Sequence, residues 1–168
     1  TREHTGGMRP SRNAVRRIEA AAACRVILRL SNNREPHIEG QLMKALIVDD
    51  SRAMRLILSR VLRELGFDLS EAGHGREALT HLNAHLDTAL ALVDWNMPEM
   101  NGLELITAVR QDERFNDLRI IMVTTETEMS QMVKAIEAGA NEYVMKPFTK
   151  EIIEVYVVKL IWTNAPVS

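Results

Sequence analysis

One cysteine, Cys24, is the whole thiol inventory of the 168 residues, which excludes an internal disulfide and a Cys-cluster metal site. Long apolar runs are missing as well. No uninterrupted stretch exceeds five residues, against the ~20 that a membrane helix requires, so no membrane span is expected. Charge of one sign is also scarce overall: 21 Lys+Arg face 23 Asp+Glu, a net −2, which argues against a strongly basic nucleic-acid binder. Hydrophobic residues make up 46 %, enough for the core of one ordinary globular domain.

The near-neutral total conceals a division. Residues 1–42 lack lysine but hold eight arginines against four glutamates, a net +4; residues 43–168 hold thirteen basic and nineteen acidic residues, a net −6. The first segment lacks the apolar core of a secretory signal, and only 18–30 has a helical look. It reads as a basic extension, disordered or non-native, ahead of a domain that starts at Met43. The competing view makes it an arm for nucleic acid or a membrane surface.

From Met43 onward, apolar runs alternate with amphipathic segments. Strands are expected at Lys44–Asp49, Phe67–Ala72, Ala89–Asp94, Leu118–Thr124 and Asn141–Met145. Helices are expected from Ser51, as N-cap, to Gly66, and over 76–85, 103–110 and 130–138, with a last one from about Thr149. Five strands alternating with five helices predict an α/β fold, a parallel sheet covered on both faces. The chemistry then falls on one rim, because Asp49-Asp50, Asp94, Thr124 and Lys146 all stand at or just beyond the carboxyl ends of strands, where open α/β sheets bind ligands. Three converging carboxylates repel one another. Hard oxygen donors on separate loops suit Mg²⁺, and three carboxylates, one lysine and one divalent cation sum to zero charge.

The segments VDDS (Val48–Ser51), DWNMPEMNG (Asp94–Gly102), MVTTE (Met122–Glu126) and EYVMKPF (Glu142–Phe148) resemble a response-regulator receiver domain of the chemotaxis type. That resemblance implies a flavodoxin-like doubly wound sheet of five strands in the order 2-1-3-4-5, for which the chemotaxis receiver is itself a standard example. It also implies roles. Asp94 would accept a phosphoryl group from a histidine kinase, and Asp49, Asp50, Asp94 and the backbone carbonyl of Asn96 would hold Mg²⁺. Lys146, before a cis proline, and Thr124 would meet the phosphoryl oxygens, while Thr124 and Tyr143 would form the switch. Asn96 and Glu126 would tune the phosphoryl lifetime, with their chemotaxis-type pairing favouring a short-lived signal. Output would pass through the face of the fourth helix, fifth strand and fifth helix to a separate protein, such as a flagellar motor switch, or to a phosphatase. Composition points to a cytoplasmic protein; a monomer is expected, with a dimer through the last helix as the alternative, and the resemblance implies that it catalyses its own phosphorylation and dephosphorylation. A phosphorelay intermediate and a non-phosphorylated interaction module are the alternatives.

Some residues fit less well. His74 stands where an acid or asparagine is commoner, and Thr125 is bulkier than the usual alanine or glycine. His81 and His85 are spaced to chelate a metal but lack a third ligand in register. Ile152–Trp162 is more apolar than a half-exposed helix needs, so either one face meets a partner or dimer mate or the carboxyl end differs from the family.

Overall fold

The computed structural model describes residues 37–38 and 41–163. The expected helix at 18–30 and most of the basic extension lie outside them. A two-residue antiparallel ribbon pairs His37–Ile38 with Gln41–Leu42, where the sequence suggested no strand.

The main sheet contains β1 (Lys44–Val48), β2 (Asp68–Ala72), β3 (Thr88–Val93), β4 (Arg119–Thr124) and β5 (Glu142–Met145). All neighbours are parallel, in the order β2-β1-β3-β4-β5. The connecting helices are α1 (Arg52–Glu64), α2 (Gly75–Ala84), α3 (Gly102–Arg110), α4 (Met129–Ala138) and α5 (Lys150–Val158), the last running into a π-helical turn at Lys159–Thr163. This is the flavodoxin-like doubly wound architecture expected.

Strand residues alternate between the two faces, so each central strand feeds two cores. Leu46 and Val48, Ala91 and Val93, and Ile120 and Met122 pack beneath α2, α3 and α4. Ala45 and Ile47, Leu90 and Leu92, and Ile121 and Val123 pack against Leu58, Val61 and Leu62 of α1 and Ile153 and Val157 of α5. Each fully buried Leu or Ile contributes roughly 1.5–3 kcal/mol of apolar transfer. The apolarity of the last helix has an internal explanation. Ile153, Val157 and Leu160 are buried, and Ile152, Tyr156 and Ile161 pack partly buried against the same core. None of the large apolar residues exposed among the described residues lies on α5.

Element ends follow local chemistry. Ser51 caps α1, accepting from the Met54 N–H at 3.3 Å. Asn101 and Glu104 form a reciprocal capping box that starts α3 at Gly102. Gly139, with φ 116°, ends α4 in the left-handed conformation that glycine tolerates best. Asn141 does not begin β5 as expected. Its side-chain oxygen accepts from the Ile120 N–H at 2.8 Å and from Arg110 at 3.1 Å, so it plugs the start of β4 instead. Arg110 also donates to the carbonyls of Phe115, Leu118 and Gly139, joining the end of α3 to β4 and the α4 cap.

Candidate phosphoacceptor and metal site

Parallel strands that all end on one rim deliver their C-terminal residues to one place. One oxygen from each of Asp49, Asp50 and Asp94 lies within 4.8 Å of the others, and this is the group of potential metal ligands found among the described residues. Asp49 and Asp94 are buried, with 1 % and 6 % of their surface exposed, whereas Asp50 is open to solvent. The Lys146 ammonium reaches over from the end of β5. Its Nζ donates to Asp49 Oδ2 at 2.7 Å and lies 3.4 Å from Asp94 Oδ2. The following Lys146–Pro147 peptide is cis.

Asp49 is fully engaged. Its N–H donates to the Ala72 carbonyl, its Oδ1 accepts from the Ser51 N–H at 2.8 Å, and its carbonyl accepts from Arg55 Nη1 at 2.7 Å. Asp94 is the opposite case, since its buried Oδ1 has no hydrogen-bond partner within the protein. Burial pushes the Asp94 carboxyl above its usual range and the Asp49 charge adds to this, while Lys146 and Thr124 pull it back. A buried, unsatisfied oxygen beside two more carboxylates is a donor set that a hard divalent cation would complete. The residues present therefore fit Mg²⁺.

The loop after β3 approaches the site closely because of Gly102. A Cβ there would sit 2.2 Å from the Asp94 carbonyl oxygen, and the Gly102 N–H donates to the Trp95 carbonyl at 2.9 Å. Glu99 adopts φ 62°, within a turn closed by the Met100 N–H on the Pro98 carbonyl.

Thr124 is fully buried at the end of β4, and its Oγ1 accepts from the Glu126 N–H at 3.3 Å. Glu126 then joins two other expected residues. Its Oε1 accepts from Asn96 Nδ2 at 2.8 Å, and its carbonyl accepts from the Tyr143 hydroxyl at 2.8 Å. Burial, with Glu126 and Asp94 nearby, raises the Tyr143 hydroxyl's pKa.

A family model described as the response regulator receiver domain matches residues 45–157. The chain belongs to the response-regulator receiver family. Several of its relatives are chemotaxis proteins. It is 46 % identical over 123 residues to chemotaxis protein CheY1 of Helicobacter pylori, covering 73 % of this chain and 99 % of that one. It is 44 % identical over 119 residues to chemotaxis protein CheY of Pseudomonas aeruginosa, covering 70 % and 95 %. Among solved structures it resembles chemotaxis protein CheY4 of Vibrio cholerae, with a TM-score of 0.67 and 32 % identity over 71 % of this chain and 99 % of that one. The receiver is thus a two-component signalling module of the chemotaxis type, and no helix among its described residues is long and apolar enough to cross a membrane.

The receiver's histidines do other work. His74 caps α2, its Nδ1 accepting from the Glu77 N–H at 3.3 Å, and its Nε2 lies 3.5 Å from Glu99 Oε2. His81 and His85 stack with ring centroids 4.2 Å apart and His85 Nδ1 turned to the His81 carbonyl, and no third ligand joins them among the described residues. Sequence reasoning missed Arg55 and Glu71. Arg55 Nε donates to Glu71 Oε2 at 2.9 Å, and Ser59 donates to the other Glu71 oxygen at 3.0 Å.

Proposed function

We propose that the receiver accepts a phosphoryl group on Asp94 from the phosphohistidine of a histidine kinase and signals to a separate chemotaxis partner. The observation that carries this reading is the buried Asp94 carboxylate, with one oxygen unpartnered and the other facing the Lys146 ammonium, beside Asp49 and Asp50. Asp49, Asp50, Asp94 and the backbone carbonyl of Asn96 would hold Mg²⁺, which when bound offsets the charge on the phosphoryl oxygens. A carboxylate oxygen of Asp94 attacks phosphorus as the bond to the histidine nitrogen breaks, in a transfer governed by positioning and electrostatics. Lys146 releases part of its hold on the carboxylates and pairs with the new group, and the Thr124 hydroxyl donates to it.

Asn96 and Glu126 flank the approach of hydrolytic water and set a short lifetime, in support of which their side chains are hydrogen-bonded to each other. Thr124 and Tyr143 act as the switch, for which the shared tether to Glu126 is the support. Output uses the face of α4, β5 and α5, where Met129, Val133, Ile136 and Met145 are exposed, Met129 to 70 %. A flagellar motor switch is the target class in keeping with the chemotaxis relatives, and the setting is cytoplasmic. The working unit is residues 43–168, with 1–42 a basic extension outside it. Phosphorylation and dephosphorylation of Asp94 are self-catalysed, with no conventional substrate turned over.

The test is incubation with a small acyl-phosphate donor and Mg²⁺, followed by intact mass analysis. A base-labile, acid-stable gain of one phosphoryl group on the wild type, absent from Asp94→Asn, is expected. No adduct, or an equal adduct on the variant, refutes the reading.

A further inference from the structure

Asp50 is the exposed member of the acidic trio and no hydrogen bond of its own side chain holds it, so its placement depends on the backbone that carries it. The Asp49–Asp50 peptide is fixed from one side by Arg55, whose Nη1 donates to the Asp49 carbonyl at 2.7 Å. The Arg55 side chain is only 18 % exposed, and its charge is paired with Glu71. Glu71, on β2, holds the guanidinium from the other side. It takes Arg55 Nε at 2.9 Å, and the buried Ser59 hydroxyl clamps its second oxygen at 3.0 Å. The planar fork of arginine is what allows one side chain to serve Glu71 and the carbonyl together.

We infer that Arg55 is a positioning residue for metal binding, held by Ser59 and Glu71 so that it orients the Asp49–Asp50 peptide without neutralising the carboxylates. The inference rests on the Mg²⁺ reading above. It separates cleanly from simple charge effects by sign. Removing a cation near three acids should tighten Mg²⁺ binding if only long-range electrostatics matter. Loosening the peptide that presents Asp50 should weaken it, and groups orienting metal ligands typically account for at least tenfold in affinity.

The experiment is a Mg²⁺ titration followed by Trp95 fluorescence in Trp162→Phe protein, which leaves Trp95, next to Asp94, as the sole tryptophan reporter. Saturable binding by this parent, lost in Asp94→Asn, is expected, and a flat parent overturns the metal reading and this inference with it. Given a responsive parent, Arg55→Ala should bind Mg²⁺ about tenfold more weakly. Unchanged or tighter binding by Arg55→Ala overturns the inference and leaves the metal reading intact. Arg55→Lys keeps the charge but not the fork, and guards against a folding defect in the alanine variant. It should also bind more weakly than the parent, and parent-like affinity overturns the inference.

Discussion

Replacing Asp94 by Asn should make the metal-free protein more stable, although it removes the proposed phosphoacceptor. At 4.8 Å and an effective dielectric of 20, one carboxylate pair repels by about 3.5 kcal/mol, and Asp94 faces two such neighbours, of which solvent screens Asp50. Attraction to Lys146 at 3.4 Å returns about 5 kcal/mol on the same scale. Lys146 is not orphaned by the change, since it keeps its shorter bond to Asp49 at 2.7 Å. Adding the cost of burying an oxygen without a partner, the balance favours the amide by about 1–2 kcal/mol at pH 7. For a domain of this size, that is about 3–8 °C in Tm.

The pH dependence has a definite sign. An acid whose folded pKa is raised holds its proton more tightly in the native state, so its ionisation costs stability as pH rises. The cost is absent below the ordinary carboxylate pKa and complete above the raised one. The stability gap between Asp94→Asn and wild type should therefore open as pH climbs from about 4 toward neutrality. Added Mg²⁺ should close it by stabilising the wild type selectively. Thermal unfolding in chelator and in Mg²⁺, at several pH values, measures all three effects. A variant less stable than wild type in chelator at pH 7, or one that gains as much from Mg²⁺, refutes the reasoning.

Lys146→Ala leaves the buried Asp49 and Asp94 charges without their cation and should destabilise the metal-free protein by roughly 3 kcal/mol, part of it recovered by Mg²⁺ in urea unfolding. Gly102→Ala forces a methyl group against the Asp94 carbonyl and should cost about 3 kcal/mol, with a lower urea midpoint and a disturbed Trp95 emission spectrum. Asn141→Ala strips an acceptor from the Ile120 N–H and from Arg110 and should cost about 2 kcal/mol by the same unfolding assay, with Mg²⁺ affinity unchanged because the plug lies at the opposite end of β4 from Thr124.

The rim of aspartates was legible because its information is local. Each of Asp49, Asp94 and Thr124 ends an apolar run, and a parallel sheet places such ends together without further instruction. The strand order was legible only through family resemblance, since alternation alone leaves several windings open. Arg55 and Glu71 stayed hidden for the converse reason. They are surface-type charges sixteen residues apart, and only the docking of α1 beside β2 makes them partners. Asn141 misled because a polar residue at a strand's edge has no sequence mark distinguishing a first rung from a side-chain plug. The last helix misled by composition. Its apolar excess looked like an outer face, yet its half-buried flanks rest on the same core as its buried stripe.

Glu126 presents its amide, its carbonyl and its carboxylate to three different residues, Thr124, Tyr143 and Asn96. Substitutions at Asn96 and at Tyr143 should consequently be epistatic, because each shifts the strain on a shared anchor. A substitution that moved Glu126 away from Asn96 would also alter how the Tyr143 hydroxyl is held. On the roles proposed for Asn96 and Tyr143, duration and amplitude of the response would be tied to one residue.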